Sequence, residues 1–225
     1  MMGGVKPLPF LFVALVCGLL PAPAPAQQCL GLPVEAGGHA AGALVETETG
    51  YTLLAAHYAG ASRAFAWRAH AGGVMRDFPG EFPDDFGPAV GAGVAWLGAS
   101  RATCPTLGLE TFDEDPVAVP ELPGDPDLDV TTLTLGWGFG FSTFPDTSRV
   151  ARAIVYAVPQ VRWVRTARAF GDVEDVDVDR QLGFEAGITG TWRRLWGGGG
   201  ARVRFREDND YPLDAVLLVR GGVRW

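Results

Sequence analysis

The sequence predicts an all-β fold, an antiparallel up-and-down barrel of about ten strands set across a membrane. Three observations predict it. Apolar residues recur at every second position in segment after segment; no window sustains the i, i+3, i+4, i+7 spacing of an amphipathic helix; and the connections between segments alternate between short and long. Of the 225 residues, 31 are glycine and 17 proline, which favours many turns over long helices. The net charge of −8 and a pI near 4.8 argue against a nucleic-acid partner.

The amino terminus sets the compartment. It carries one charge, Lys6, then an apolar run from Leu8 to Leu20 and the small-x-small sequence Ala24-Pro25-Ala26. That is the pattern of a cleaved export signal, expected over 1–26, with the folded domain over 27–225. The apolar run is shorter than the roughly 20 residues of a spanning helix. Cys17 has no small residue immediately before it, which argues against a lipid anchor. Removal of the signal leaves Cys29 and Cys104. In an exported chain two cysteines with few histidines nearby point to a disulfide rather than a metal site.

Period two then places strands at about 37–47, 50–59, 62–75, 88–99, 102–112, 130–142, 151–166, 179–193, 199–207 and 213–225, with eight strands as the alternative count. In the sixth, Leu133, Leu135, Trp137, Phe139 and Phe141 alternate with Thr132, Thr134, Gly136, Gly138 and Gly140. In the eighth, Leu182, Phe184, Ala186, Ile188 and Trp192 alternate with Gln181, Glu185, Thr189 and Thr191. In the ninth, Ala201, Val203 and Phe205 alternate with Arg202, Arg204 and Arg206. Each apolar face is about the 9–11 residues that cross a bilayer.

Alternation alone fits two architectures. A soluble barrel or sandwich turns the apolar face inward and the charges to water. A transmembrane barrel inverts this, and Arg68, Arg152, Arg162, Arg202, Arg204, Arg206 and Glu185 then line a polar, salt-bridged lumen. Loop lengths favour the second. Connections after the second, fourth, sixth and eighth strands read as short, whereas those after the third, fifth and seventh, about 76–87, 113–129 and 167–178, read as long. Short turns on one rim and long loops on the other characterise membrane barrels. Trp225, Trp192, Trp196, Phe144 and Tyr58 are expected near one rim and Trp163 and Tyr51 near the other, as interfacial girdles.

The last strand carries the most specific pattern. Stepping back from Trp225 by twos gives Val223, Gly221, Val219 and Leu217, all apolar or small, while Arg224 and Arg220 lie between them. This resembles the carboxyl-terminal signal of bacterial outer-membrane β-barrel proteins, and the chain is similar in pattern over 27–225 to their eight- to ten-stranded members. The resemblance implies that Leu217, Val219, Val223 and Trp225 are read by the barrel assembly machinery, that outer-membrane lipid surrounds the fold, and that the barrel is a monomer in the cell outer membrane.

Motifs for chemistry are weak. The glycines of the sixth strand lie within a strand, whereas a nucleotide loop must open a helix; small residues in a narrow lumen explain them. Some outer-membrane barrels resemble enzymes, among them the omptin proteases with Asp and His at the outer rim and lipid A deacylases with His, Ser and a carboxylate. Here His39 and His57 fall toward the opposite rim and His70 inside the barrel, so no such pair assembles outside, and no catalytic residue or cofactor is expected. Two connections are acidic. Asp125, Asp127 and Asp129 in one, and Asp175, Asp177 and Asp179 in the next, are read as solvated loop charge, with divalent-cation binding as the sharper alternative.

The function read from the sequence is therefore structural or a surface interaction. The rivals are an outer-membrane enzyme acting on lipid or peptide and a soluble exported barrel that binds an apolar ligand. On the barrel reading, arginine at Leu135 or Ile188 is costly, and substitutions at Thr134 or Thr189 are mild.

Overall fold

The computed structural model describes residues 29–48, 51–62, 64–76, 85–96, 103–114, 127–142, 151–170, 173–205 and 213–225. They form ten strands: β1 (His39–Glu48), β2 (Tyr51–Ala61), β3 (Phe65–Arg76), β4 (Asp85–Trp96), β5 (Thr103–Glu114), β6 (Asp127–Ser142), β7 (Ala151–Phe170), β8 (Val173–Trp192), β9 (Leu195–Phe205) and β10 (Leu213–Arg224). Each strand pairs antiparallel with its sequence neighbours, and β1 pairs with β10 from Ala40↔Arg224 to Thr47↔Leu217. The barrel is closed, which excludes the eight-strand alternative and leaves no open sheet edge around its circumference. The seam ends in a reciprocal pair of hydrogen bonds between His39 and Trp225, each backbone N–H donating to the other carbonyl at 2.9 Å.

The pleat sorts side chains as the alternation predicts. Leu54, Leu109, Leu133, Leu135, Ile188, Leu217 and Val219 are exposed on the outer wall. Glu46, His57, Arg162, Glu185, Arg202, Arg204 and Arg220 are buried inside. A water-soluble barrel would show the reverse, because a buried unpaired charge costs several kcal/mol and exposed leucines gain nothing in water.

Two expectations about strand ends are corrected. The connection expected over 167–178 is not a long loop, since β7 runs to Phe170 and β8 begins at Val173, and the two stay in register to Phe170↔Val173. Val176 and Val178 alternate with Asp175, Asp177 and Asp179, which is itself a strand pattern, and the dense acid obscured it. At 20 residues each, β7 and β8 are twice as long as the 10-residue β1. The glycine run Gly197–Gly200 is likewise strand, not turn; β9 starts at Leu195 directly after a tight turn in which Arg193 has φ 55°. Glu114 and Asp127, the ends of β5 and β6, do lie on the rim opposite the His39–Trp225 seam.

One element has no counterpart in the strand pattern. Residues 29–34, before β1, lie inside the barrel, with Cys29, Leu30, Leu32 and Val34 buried against Ala40, Ala59, Ala66, Ala95 and Trp196. They plug the lumen at the end that holds the His39–Trp225 seam. A second apolar cluster, Leu44, Leu53, Ala55, Val74 and Ala89, sits against the wall formed by β1 to β4, with Tyr51 and Phe112 packed on it.

Candidate functional site

The lumen is where the described residues concentrate polar chemistry, and parity on each strand puts it there. Even positions of β1 and β9 and odd positions of β8 point inward, so Glu46, Glu185 and Arg202 converge although they are far apart in sequence. Arg202 lies between the two carboxylates: its Nη1 and Nη2 donate to Glu46 Oε2 and Oε1 at 3.2 and 3.4 Å, and its Nε and Nη2 to Glu185 Oε2 at 3.2 and 3.1 Å. Glu185 also accepts from the Tyr156 hydroxyl at 3.2 Å and lies 3.7 Å from Arg68 Nη1. Two residues further along β9, Arg204 donates to Glu48 at 2.7 Å and to the Tyr51 hydroxyl at 3.2 Å. His70 Nε2 stands 3.4 Å from Glu110. With its partners present, each buried ion pair is compensated; removing one partner strands the other in a low-dielectric interior.

The plug is fastened to this network. Arg220 donates to the carbonyls of Leu30 and Gly31 at 3.4 and 3.1 Å and lies over the Tyr156 ring at 5.1 Å. Thr189 donates to the Gly31 carbonyl at 2.7 Å. Gly31 is in the left-handed region at φ +60°, and a Cβ there would collide with Tyr156 and Arg220. Gly138 on β6 leaves room for Cys29, whose side chain and carbonyl lie where a Cβ would go. The Cys29–Cys104 disulfide, Cα–Cα 6.0 Å, ties the plug to β5.

The structure places the remaining sequence-expected residues as follows. Arg68, Arg162, Glu185, Arg202 and Arg204 line the lumen. Arg152 is half-buried opposite Thr191 near the plugged end, and Arg206 lies outside the described residues. Leu217, Val219, Val223 and Trp225 are all exposed on the outer face of β10. Asp127 and Asp129 lie on β6 and Asp175, Asp177 and Asp179 on β8, so these acids belong to strands and not to loops; Asp125 lies outside the described residues. Among the described residues no three His, Cys, Asp or Glu side chains converge as metal ligands.

Two girdle assignments are also corrected. Trp196 and Tyr51 point inward: the Trp196 indole donates to the carbonyls of Val223 and Ala41 at 3.2 and 3.4 Å, and Tyr51 accepts from Arg204. Their polar tips need partners that lipid cannot supply. Outside, Tyr58, Trp67, Trp225 and His39 do cluster across the seam, with Tyr58 and Trp67 ring centroids 5.2 Å apart and the Tyr58 hydroxyl 3.2 Å from His39 Nδ1. Phe144 lies outside the described residues. His57 packs on Trp196 at 5.6 Å, and among the described residues no histidine has a serine partner.

Glu46, Glu48, Glu110, Arg220 and the plug were not singled out from the sequence. The glutamates and Arg220 are legible in retrospect from strand parity. The plug carries only Leu30, Leu32 and Val34 at period two, a run too short to separate from the strand that follows.

The fold and lumen define an inside-out antiparallel barrel, which resembles the small outer-membrane β-barrels. No protein-family model matches the sequence, and no curated protein does. Among solved structures the chain is similar to the N-terminal β-barrel domain of Pseudomonas aeruginosa OprF, with 8% identity, TM-score 0.39 and coverage of 84% of this chain and 98% of that one. It is similar to Neisserial surface protein A, NspA, with 9% identity, TM-score 0.41 and coverage of 83% and 93%. It is similar also to Ail, the attachment invasion locus protein of Yersinia pestis, with 8% identity, TM-score 0.39 and coverage of 85% and 100%.

Proposed function

We propose that the chain is an integral barrel of the bacterial outer membrane with a structural or surface-interaction role, and that it does not serve as a general diffusion channel. The observation that carries this reading is the inversion of polarity: buried arginine–glutamate pairs inside, exposed leucine, valine and aromatic side chains outside. Lipid is the solvent that favours such an exterior. The plug and the ion pairs leave a central cavity of about 70 Å³, far below the aqueous channel of a porin. A cavity of that size is too small for an ordinary apolar ligand, which counts against a soluble carrier.

On this reading the plugged end, with both the disulfide and the seam, faces the oxidising periplasm, and the β7–β8 hairpin faces the outside. The exposed apolar face of β10 is the part offered to the assembly machinery. Membrane fractionation tests the proposal: the protein should remain with the outer membrane through alkaline carbonate and be released by detergent. Recovery in the soluble periplasm without detergent would overturn it.

A further inference from the structure

We infer that the lumen binds one small monovalent anion, of the chloride class, beside Arg162. Arg162 is 5% exposed, lines the central cavity, and its Nη1 has no hydrogen-bond partner among the described residues. The other lumen arginines have partners, carboxylates for three of them and neutral carbonyls for Arg220. Arg202 and Arg68 share Glu46 and Glu185, Arg204 has Glu48, and Arg220 is held by plug carbonyls. Glu110 lies 3.4 Å from His70 Nε2.

The charges acting most strongly on Arg162 are two further arginines, Arg204 and Arg202, ahead of Glu110. A guanidinium keeps its proton at neutral pH, so burial does not neutralise it. Gln181, its register partner on β8, turns its amide N–H to Asp179 at 2.9 Å, and its Oε1 also lacks a partner; a neutral oxygen solvates the guanidinium without offsetting its charge.

Charge and size select the ligand class. Four arginines, Arg68, Arg162, Arg202 and Arg220, face three glutamates, Glu46, Glu110 and Glu185, around the cavity, so among these groups the guanidiniums exceed the carboxylates by one and one negative charge completes the balance. A multiply charged phosphate would overshoot it beside three carboxylates. At about 70 Å³ the cavity is well below the roughly 300 Å³ where sites for organic ligands begin, yet it admits a halide with a water or two. The inference concerns the lumen alone and holds whichever membrane the barrel occupies.

The test is to refold the full-length folded domain in detergent with sodium bromide as the only halide and to locate bromide by anomalous diffraction. The expected result is a bromide peak in hydrogen-bond range of Arg162 Nη1, together with a higher unfolding midpoint in chloride than in gluconate at equal ionic strength. In Arg162→Gln both the peak and the chloride dependence should vanish. Ordered water at that position, or bromide only at surface arginines, would overturn the inference, as would a chloride effect equal in wild type and Arg162→Gln. If that variant does not fold, the wild-type bromide map decides alone.

Discussion

Arg202 shows how much a single lumen residue carries. It satisfies Glu46 and Glu185 together, and both carboxylates are buried. Arg202→Ala leaves two negative charges facing each other in the interior and should destabilise the barrel by about 3–5 kcal/mol, measured as a lower urea midpoint for loss of the compact, heat-modifiable form. On the outer wall, Ile188→Arg should cost about 2–4 kcal/mol if the site is near the bilayer midplane. Its neighbour Thr189, where the sequence reading expects mild substitutions, has a buried partner. Thr189 is fully buried and its hydroxyl donates to the Gly31 carbonyl, so Thr189→Val should cost about 1 kcal/mol, the loss of one hydrogen bond to an acceptor that Arg220 still serves. Parity told from the sequence that Thr189 faces inward. That its partner is a carbonyl of the plug, 158 residues away, is a long-range fact that no local pattern encodes.

At the scale of elements, strands such as β6, β8 and β9 were legible because the pleat sets apolar and polar side chains at period two. What was not legible lies at their ends. Acid-rich 173–179 reads as loop by charge and folds as strand, with Val176 and Val178 alternating with the acids and the backbone in register with β7. The plug was legible only through Cys29, whose bridge to Cys104 spans 75 residues. In the chain-entropy model a loop of that length contributes about 4 kcal/mol. The Cys29→Ser, Cys104→Ser double variant should lose most of that in denaturant midpoint and become sensitive to proteases within 29–34; an unchanged midpoint would show that Arg220 and Thr189 suffice to seat the plug. Trp225 closes the seam with His39, on whose ring it stacks, and packs near Tyr58. Deleting it should lower the yield of folded, membrane-inserted protein while export continues, read by comparing heat-modifiable and total protein.

For the molecule as a whole, closure follows from the β1–β10 pairing, and function follows from what closure encloses. On the proposed reading, a lumen filled by a disulfide-held plug, four ion-paired or carbonyl-held arginines and one arginine beside a small cavity serves as a wall rather than a conduit. The central claim is that the outer face meets lipid. The most direct measurement is a nitroxide scan along β6 from Thr131 to Phe141 in reconstituted vesicles, reading accessibility to oxygen and to a water-soluble nickel chelate. Labels at Leu133, Leu135, Trp137 and Phe139 should be accessible to oxygen and shielded from nickel, and labels at Thr132, Thr134, Gly136 and Gly138 should be shielded from oxygen, giving period two. Nickel access at Leu133 and Leu135, or an oxygen profile without that period, would contradict the account.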